Sequence, residues 1–434
     1  MRKSRQLSSV MLCLIALMLS GCGGYLGFWE RQHELKKAFH EEPSAELLRQ
    51  LDPQDCFLLK GRVVFTAEYK KPVLVVAVTD KFKKREIVAA RILQIPVFLY
   101  LAYLPEGRYD LYFFADLDEN GFFDADEMIG QTADEPIQIS KAEVQDGLTI
   151  SGPAFTLNPD RPAATDLPVK VKVREQGYAY DSLDDEFFDP KYGIMGLYAP
   201  MAFMAHTQRY IFSLAKIDPE KTLVVFVHGV EGTPRDFKYL VAGLDTDRYQ
   251  PWFYFYPSGM PLQKLGALLA GIIRYITVAE SFHVKSVIVV AHSMGGLVAL
   301  SALNQLCSDG TPPYLRGYVS FNSPYGGVEA ARKGVDNAPA VVPSWRDVAT
   351  GSPFLEKLYQ GPAPGALPFY LFFGYKTGDS SDGIITLQSQ LEPRVHLSAF
   401  KSYGFNATHV GILNDAEARR TFYQALTALD NGGN

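Results

Sequence analysis

The chain has 434 residues, of which 47% are hydrophobic, 13% aromatic and 21% charged, a composition that excludes a disordered or fibrous protein. Its length exceeds what one hydrophobic core ordinarily fills and implies two folded units. A formal net charge of −6 lacks the basic footprint that nucleic-acid binding requires.

At the N-terminus, Arg2, Lys3 and Arg5 precede an apolar run from Val10 to Leu19 that is too short to span a bilayer and reads as a secretory signal peptide over residues 1–21. The run ends in Leu19-Ser20-Gly21-Cys22, which resembles the lipobox of bacterial lipoproteins. That family is cleaved before the Cys, whose thiol and new amino group are acylated. The resemblance implies Cys22 as the lipidated first residue of the mature chain and membrane attachment through its acyl chains; several chains give stable anchoring where one does not. It also implies a place in the bacterial cell envelope, with Gly23 rather than Asp after the Cys favouring the outer membrane. Cys56 and Cys307 remain and are expected as unbridged, partly buried thiols.

Residues 22–53 carry Leu47, Leu48 and Leu51 at helical spacing and are expected as a tether with a short helix. Residues 54–160 change to short β-branched runs, including Gly61–Phe65, Val73–Val78 and Tyr109–Phe114, which predict a small antiparallel β-sandwich. Within it, Asp116-Leu117-Asp118-Glu119-Asn120-Gly121-Phe122-Phe123-Asp124-Ala125-Asp126-Glu127 places oxygen-bearing side chains at positions one, three, five, nine and twelve, with glycine at six. That is the register of an EF-hand calcium loop. The expected ligands are Asp116, Asp118, Asn120, Asp124, Glu127 and the Phe122 carbonyl, holding a structural calcium; the other reading is an acidic, solvated turn. The segment before it is strand-like, so the loop is grafted between strands. Such loops recur in exported modules resembling the carboxypeptidase-regulatory or transthyretin-like family. Pro159, Pro162 and Pro168, then an acidic run over Asp181–Glu186, mark residues 161–220 as a linker with lead-in helices between Tyr192 and Leu214.

From 221 to 430 buried runs (Leu223–Val227, Trp252–Tyr256, Val287–Val290, Tyr318–Phe321) alternate with amphipathic stretches (Pro234–Leu244, Leu262–Val278, Gly295–Leu306). Strands separated by helices of this length predict a mostly parallel sheet with helices on both faces. The run Val287–Val290 stops at Ala291-His292-Ser293-Met294-Gly295, and a helix-compatible stretch follows. A serine on such a strand-to-helix turn exposes its Oγ at the carboxyl edge of the sheet, and small residues two before and two after it relieve the crowding. Ala291 in place of the commoner glycine is a departure from G-x-S-x-G.

Upstream, Val227-His228-Gly229-Val230-Glu231-Gly232 resembles the H-G-x-x-G segment of lipases and esterases. Downstream, Asp382-Gly383-Ile384-Ile385 resembles the acid-bearing segment of lipases, with Asp379 as the second candidate. His409 lies in a loop before a terminal helix that is predicted to bury Ala418, Phe422, Ala425, Leu426 and Leu429. His396, in an alternating segment, reads as a sheet residue without chemistry. Together these motifs resemble the α/β-hydrolase superfamily over residues 222–429, in that family's order of serine, acid and histidine.

The resemblance implies Ser293 as nucleophile, His409 as general base, Asp382 as its orienting acid, and the N–H groups of Val230 and Met294 as an oxyanion hole, with His228 orienting that loop. It also implies that Phe321–Gly327 lies near the mouth and that residues 327–364 form a cap or lid. The expected activity is hydrolysis of carboxylic esters, acyl or lipid in character, through an acyl-enzyme and without a cofactor for the chemistry. An acyltransferase or thioesterase with the same triad, or a non-catalytic envelope binding module, are the alternatives.

Overall fold

The structure is a computed structural model. It describes residues 56–432 except 67–68, 70, 81–84, 94–98, 133–134, 145–148, 174–178, 208–209, 279–282, 338–340 and 364. The expected signal peptide, the tether and Cys22 lie outside the described residues.

The first unit packs two sheets. One has the order β10-β1-β4, with β9 also on β1; the other has the order β3-β2-β5-β7, with β8 also on β5. The strands are β1 (Cys56–Phe65), β2 (Val73–Thr79), β3 (Glu86–Leu93), β4 (Leu99–Pro105), β5 (Gly107–Ala115), β6 (Phe122–Asp124), β7 (Met128–Gln131), β8 (Ile137–Ile139), β9 (Thr149–Ser151), β10 (Phe155–Leu157) and β11 (Lys170–Lys172). Contrary to a purely antiparallel sandwich, β9 and β10 pair with β1 in parallel. β9 follows β8 of the opposite sheet, and β10 continues along the same edge of β1, so a crossing between sheets and not a hairpin turn sets their direction.

Successive strand residues point to opposite faces, and β2 shows what each face meets. Val73, Val75 and Ala77 enter the core between the sheets, while Leu74, Val76 and Val78 pack beneath Phe123, Leu167 and Val169. Both faces are therefore covered, which explains an apolar run without alternation. The covering segment was expected to be linker. Instead Ala163 bridges Met128 and β11 pairs with β6, so the sandwich extends beyond residue 160 to at least Val173. The prolines punctuate the segment without releasing it from the domain.

Among the described residues, the second unit is a seven-stranded sheet in the order β12-β14-β13-β15-β16-β17-β18. Its strands are β12 (Ile211–Ser213), β13 (Thr222–Val227), β14 (Tyr249–Tyr254), β15 (Val287–His292), β16 (Leu315–Phe321), β17 (Phe369–Tyr375) and β18 (Lys401–Asn406). All pairs are parallel except β12 with β14. The strand expected at Trp252–Tyr256 thus begins and ends a few residues earlier, at Tyr249–Tyr254. β12 also corrects the lead-in region, which holds α1 (Pro190–Tyr198) and α2 (Pro200–Thr207) and then an edge strand.

The main later helices are α3 (Leu262–Val278), α4 (Gly295–Leu306), α5 (Glu329–Asn337), α6 (Pro343–Val348), α7 (Pro353–Leu358) and α8 (Ala416–Asp430). Their sides follow from β16. The Tyr318 hydroxyl donates to the Gly296 carbonyl of α4, whereas a Cβ at the neighbouring Gly317 would sit 2.3 Å from Leu429 of α8. Adjacent residues face opposite ways, so α4 and α8 cover opposite faces. Asp415 caps α8 by accepting from the N–H groups of Glu417 and Ala418, and the buried face is Ala418, Phe422, Ala425, Leu426 and Leu429. The sheet is thus mostly parallel and covered on both faces, the α/β architecture expected for residues 221–430.

The two units touch through buried polar contacts as well as apolar ones. Lys264 Nζ on α3 donates to the Cys56 carbonyl at 2.7 Å, and Arg91 donates to the Tyr210 hydroxyl at 2.9 Å. Cys56 and Leu58 pack into the core of the second unit. Cys56 and Cys307 are both buried and neither forms a disulfide among the described residues. No described helix is long and apolar enough to cross a membrane.

Candidate active site

The strand order reverses at β13, which has β14 on one side and β15 on the other; such a switch point opens a crevice at the carboxyl ends of the strands. The carboxyl end of β13 leads into His228-Gly229, and that of β15 leads into Ser293. Ser293 sits at φ +54 between β15 and α4, a strained conformation for a residue with a side chain, which persists only where the surroundings impose it. The surroundings are close. A Cβ at Gly295 would lie 2.3 Å from the His228 carbonyl oxygen, and one at Gly229 would lie 2.8 Å from Ser293 Cβ. Glycine at both places lets the two turns meet.

The structure brings together the three side chains that the motifs single out. His409 Nε2 lies 2.8 Å from Ser293 Oγ, and His409 Nδ1 lies 2.7 Å from Asp382 Oδ2. With a carboxylate at Nδ1, that nitrogen carries the proton and Nε2 is left to accept from the serine hydroxyl. All three residues are buried, Asp382 to 1% exposure. Its second oxygen accepts from the N–H groups of Ile384 and Ile385 at 2.8 and 2.7 Å, so both carboxylate oxygens are engaged. Asp379 is exposed in the preceding turn, its N–H donating to the Lys376 carbonyl, and it takes no part in this chain of contacts.

The main chain of His409 is held at both ends. Its N–H donates to the Asp382 carbonyl at 3.0 Å, and its own carbonyl accepts from His292 Nε2 at 2.9 Å and Asn322 Nδ2 at 3.0 Å. His292 and Asn322 were not singled out from the sequence. The hint was their place in two quoted motifs, one residue before Ser293 and one after β16. Burial above all, helped by the neighbouring His409, pushes the His292 ring down to about 3, so it stays neutral and donates from Nε2.

The His228–Gly232 loop has its own support. His228 is buried, its Nδ1 donates to the Gly229 carbonyl at 2.8 Å, its Nε2 accepts from the Tyr256 N–H at 3.2 Å, and its ring stacks on Tyr256. Burial pushes this ring down to about 4, which suits a neutral residue that fixes a loop and not a base. Val230 follows the glycine that touches Ser293, and Met294 follows Ser293 itself at the first turn of α4. Neither of their N–H groups donates to a main-chain carbonyl among the described residues.

His396 differs from its expected strand. It ends a one-turn helix, Pro393–His396, that begins with proline and is capped by Glu392, and its Nδ1 lies 3.1 Å from Ser402 Oγ. The alternation of its segment reflects one short helical turn. Residues 327–364 carry α5, α6 and α7, tied back by a bridge from Val328 to Ala349. In Phe321–Gly327, Asn322 reaches the His409 loop, while Tyr325 is fully buried with its hydroxyl 2.9 Å from that of Tyr318.

In the first unit, the carboxylates of Asp116, Asp118 and Glu127 lie within 4.8 Å of one another. Gly121 has φ +83 at the apex, and its N–H donates to Asp116 Oδ2 at 3.1 Å. Glu127 accepts from the N–H groups of Leu117, Asp118 and Asp124. Asn120 Nδ2 donates to Asp118 and Asp124. Asp116 Oδ1 is buried with no hydrogen-bond partner among the described residues.

Residues 218–351 match the family model described as "Putative serine esterase (DUF676)". That stretch includes His228–Gly232 and Ser293 and ends before Asp382 and His409. No curated protein matches the chain significantly. Among solved structures, it is similar to the mature form of Bacillus licheniformis lipase BlEst2 at 20% identity, over 51% of this chain and 98% of that one, with a TM-score of 0.41. Aspergillus fumigatus lipase B matches at 19% identity over 52% of this chain and 60% of its own, with a TM-score of 0.39. Est1E from Butyrivibrio proteoclasticus matches at 15% identity over 51% and 93%, with a TM-score of 0.39. The chain thus carries, on its mostly parallel sheet, a segment similar to the putative serine esterase family that spans the His228–Gly232 loop and the Ser293 turn.

Proposed function

We propose that the chain hydrolyses carboxylic esters through a covalent acyl-enzyme on Ser293. The observation that carries this reading is the continuous Asp382–His409–Ser293 hydrogen-bond chain beside the His228–Gly232 loop. His409 Nε2 takes the hydroxyl proton as Ser293 Oγ bonds to the ester carbonyl carbon, and Asp382 stabilises the imidazolium that results. The carbonyl oxygen becomes an oxyanion between the N–H groups of Val230 and Met294, each such donor contributing about 3 kcal/mol in the transition state. His409 then returns its proton to the leaving alkoxide, and a water, deprotonated by the same nitrogen, releases the acid. None of these steps requires a group beyond the residues named.

Three exposed apolar side chains beside the site residues in sequence support an apolar acyl group. Val230, Ile384 and Val410 are 39%, 64% and 59% exposed, and each lies within two residues of the oxyanion loop's glycine, the acid or the base. Turnover of short- and long-chain p-nitrophenyl esters by the wild type, with a loss of at least a thousandfold in Ser293→Ala, is the expected outcome; equal rates in the two would end the proposal. Product analysis with added alcohols or thioesters separates hydrolysis from acyl transfer and thioester cleavage. Failure of a fluorophosphonate to label Ser293 would favour a binding module.

We propose that the loop Asp116–Glu127 holds calcium; the buried Asp116 Oδ1, without a hydrogen-bond partner among the described residues, supports this reading as a free hard-cation ligand. Asp116, Asp118, Asn120, Asp124, Glu127 and the Phe122 carbonyl would hold the ion, which would neutralise clustered carboxylates and take no part in ester chemistry. Calorimetric titration with calcium chloride should give a dissociation constant of about 0.1 to 1 mM, abolished by Asp118→Asn with Glu127→Gln. We also propose the lipid anchor at Cys22 and the envelope location. Incorporation of labelled fatty acid into the chain, lost in Cys22→Ala, tests both.

A further inference from the structure

Glu231 sits at φ +53 in the oxyanion-side loop, a conformation that a residue with a side chain keeps only where neighbours enforce it. Two segments do so. On one side, the Glu231 N–H donates to Ser258 Oγ at 3.1 Å, in the same turn whose Tyr256 holds His228. On the other side, the backbone of α1 lies against the loop: a Cβ at Gly193 would sit 2.1 Å from the Glu231 carbonyl oxygen and 2.9 Å from that of Gly232. One turn further, the Gly196 carbonyl accepts from the Gly259 N–H at 2.9 Å, and a Cβ at Gly259 would sit 2.0 Å from the Leu197 carbonyl oxygen. Glycines at these positions allow one helix to touch both the loop and the turn that supports it.

The approach to this helix is itself fastened to the loop's downstream end. Arg235 donates from Nε to the Leu183 carbonyl at 3.1 Å and from Nη2 to the carbonyls of Asp184 and Asp185 at 3.2 and 2.9 Å. Its guanidinium fork spans three carbonyls, a pattern that a lysine cannot reproduce. At the far end of α1, Leu197 packs on Val342, with Tyr198 and Trp345 against them, so the helix runs from the oxyanion loop to the cap.

Building on Ser293 as nucleophile, we propose that α1 is a strap that fixes the oxyanion loop, with Gly193 and Arg235 as positioning residues that keep the Val230 N–H aimed at the developing oxyanion. They touch neither ester nor reacting atoms. Their effect falls on the tetrahedral stage, because the donor matters most where charge develops, and a misplacement of about 1 Å can cost about a hundredfold in rate.

The test uses the full chain. Gly193→Ala and Arg235→Lys are compared with the wild type and with Gly271→Ala, an exposed helical glycine with nothing within 4 Å of an added Cβ. With p-nitrophenyl butyrate, Gly193→Ala should lose about ten- to a hundredfold in kcat with KM within twofold, and Arg235→Lys should lose severalfold. Affinity for an alkyl boronic acid, which forms a tetrahedral adduct on the serine, should fall by the same factors, and Gly271→Ala should match the wild type. If Gly193→Ala does not fold, Arg235→Lys and Arg235→Gln carry the test. Folded variants with unchanged kcat and boronate affinity, or with a rise in KM alone, overturn the strap. A wild type that neither turns over the ester nor takes a fluorophosphonate at Ser293 overturns the hydrolase reading together with it, whereas a labelled wild type with unaffected variants overturns the strap alone.

Discussion

The residues around Ser293 show how buried titratable groups are used without being charged. His228 and His292 have their rings pushed down to about 4 and about 3 by burial, so the folded state binds fewer protons than the unfolded state below the ordinary histidine value. Their contribution to stability is complete above about 6.5 and is lost as pH falls toward those folded values. Asp236 behaves in the opposite sense, since burial raises it to about 6. Its contribution is present below its ordinary value near 3.8 and is lost as pH rises through about 6. Asp236→Asn should therefore gain stability relative to the wild type between pH 4 and pH 7, on the order of 2 kcal/mol. Urea unfolding at the two pH values measures it, and a pH-independent difference would show that the carboxyl is not held protonated. His292→Ala removes one of the two donors to the His409 carbonyl. It should lower kcat about tenfold and stability by about 1 to 3 kcal/mol, read from steady-state kinetics and thermal melts.

At the scale of elements, the calcium-type loop and the connection between the units are one assembly. β6, inside the loop, pairs with β11, the Val173 N–H donates to the Gly121 carbonyl, and the Thr165 N–H donates to the Ala125 carbonyl. An ion that orders the loop should therefore order the connecting segment too. Calcium should raise the melting temperature by a few degrees and slow amide exchange at Val171 and Val173. Exchange that calcium leaves unchanged would separate the loop from the connection. The terminal helix gives a plainer case: Asp415→Ala removes the cap of α8 and should cost about 1 kcal/mol, measurable by denaturant unfolding, without moving His409 chemistry.

For the whole molecule, the sandwich and the second unit share an interface with a buried lysine. Lys264→Met removes the hydrogen bond from Lys264 Nζ to the Cys56 carbonyl and should lower stability by about 1 to 3 kcal/mol, while fluorophosphonate labelling of Ser293 proceeds at the wild-type rate. A matching loss of labelling would mean that the interface shapes the active site. The sequence was most legible where structure is local. The strand, serine turn and helix around Ser293, the apolar face of α8 and the relative order of Ser293, Asp382 and His409 follow from hydrophobic period, small residues and chain order. Pairing across the chain was not legible. β11 was hidden among prolines, β12 inside a helical-looking stretch, and His396 in an alternation that belongs to one helical turn, because a short segment takes its conformation from partners far away in sequence. The same reason separates the parts of the candidate site. By itself the sequence determined which side chains are chemically equipped, since serine, histidine and aspartate carry their chemistry wherever they stand. Only the tertiary structure decided that Asp382 and not Asp379 meets His409, that His292 and Asn322 grip its carbonyl, and that α1 lies on the His228–Gly232 loop, because hydrogen bonds and close glycine contacts form over a few ångströms in space, whatever the distance along the chain.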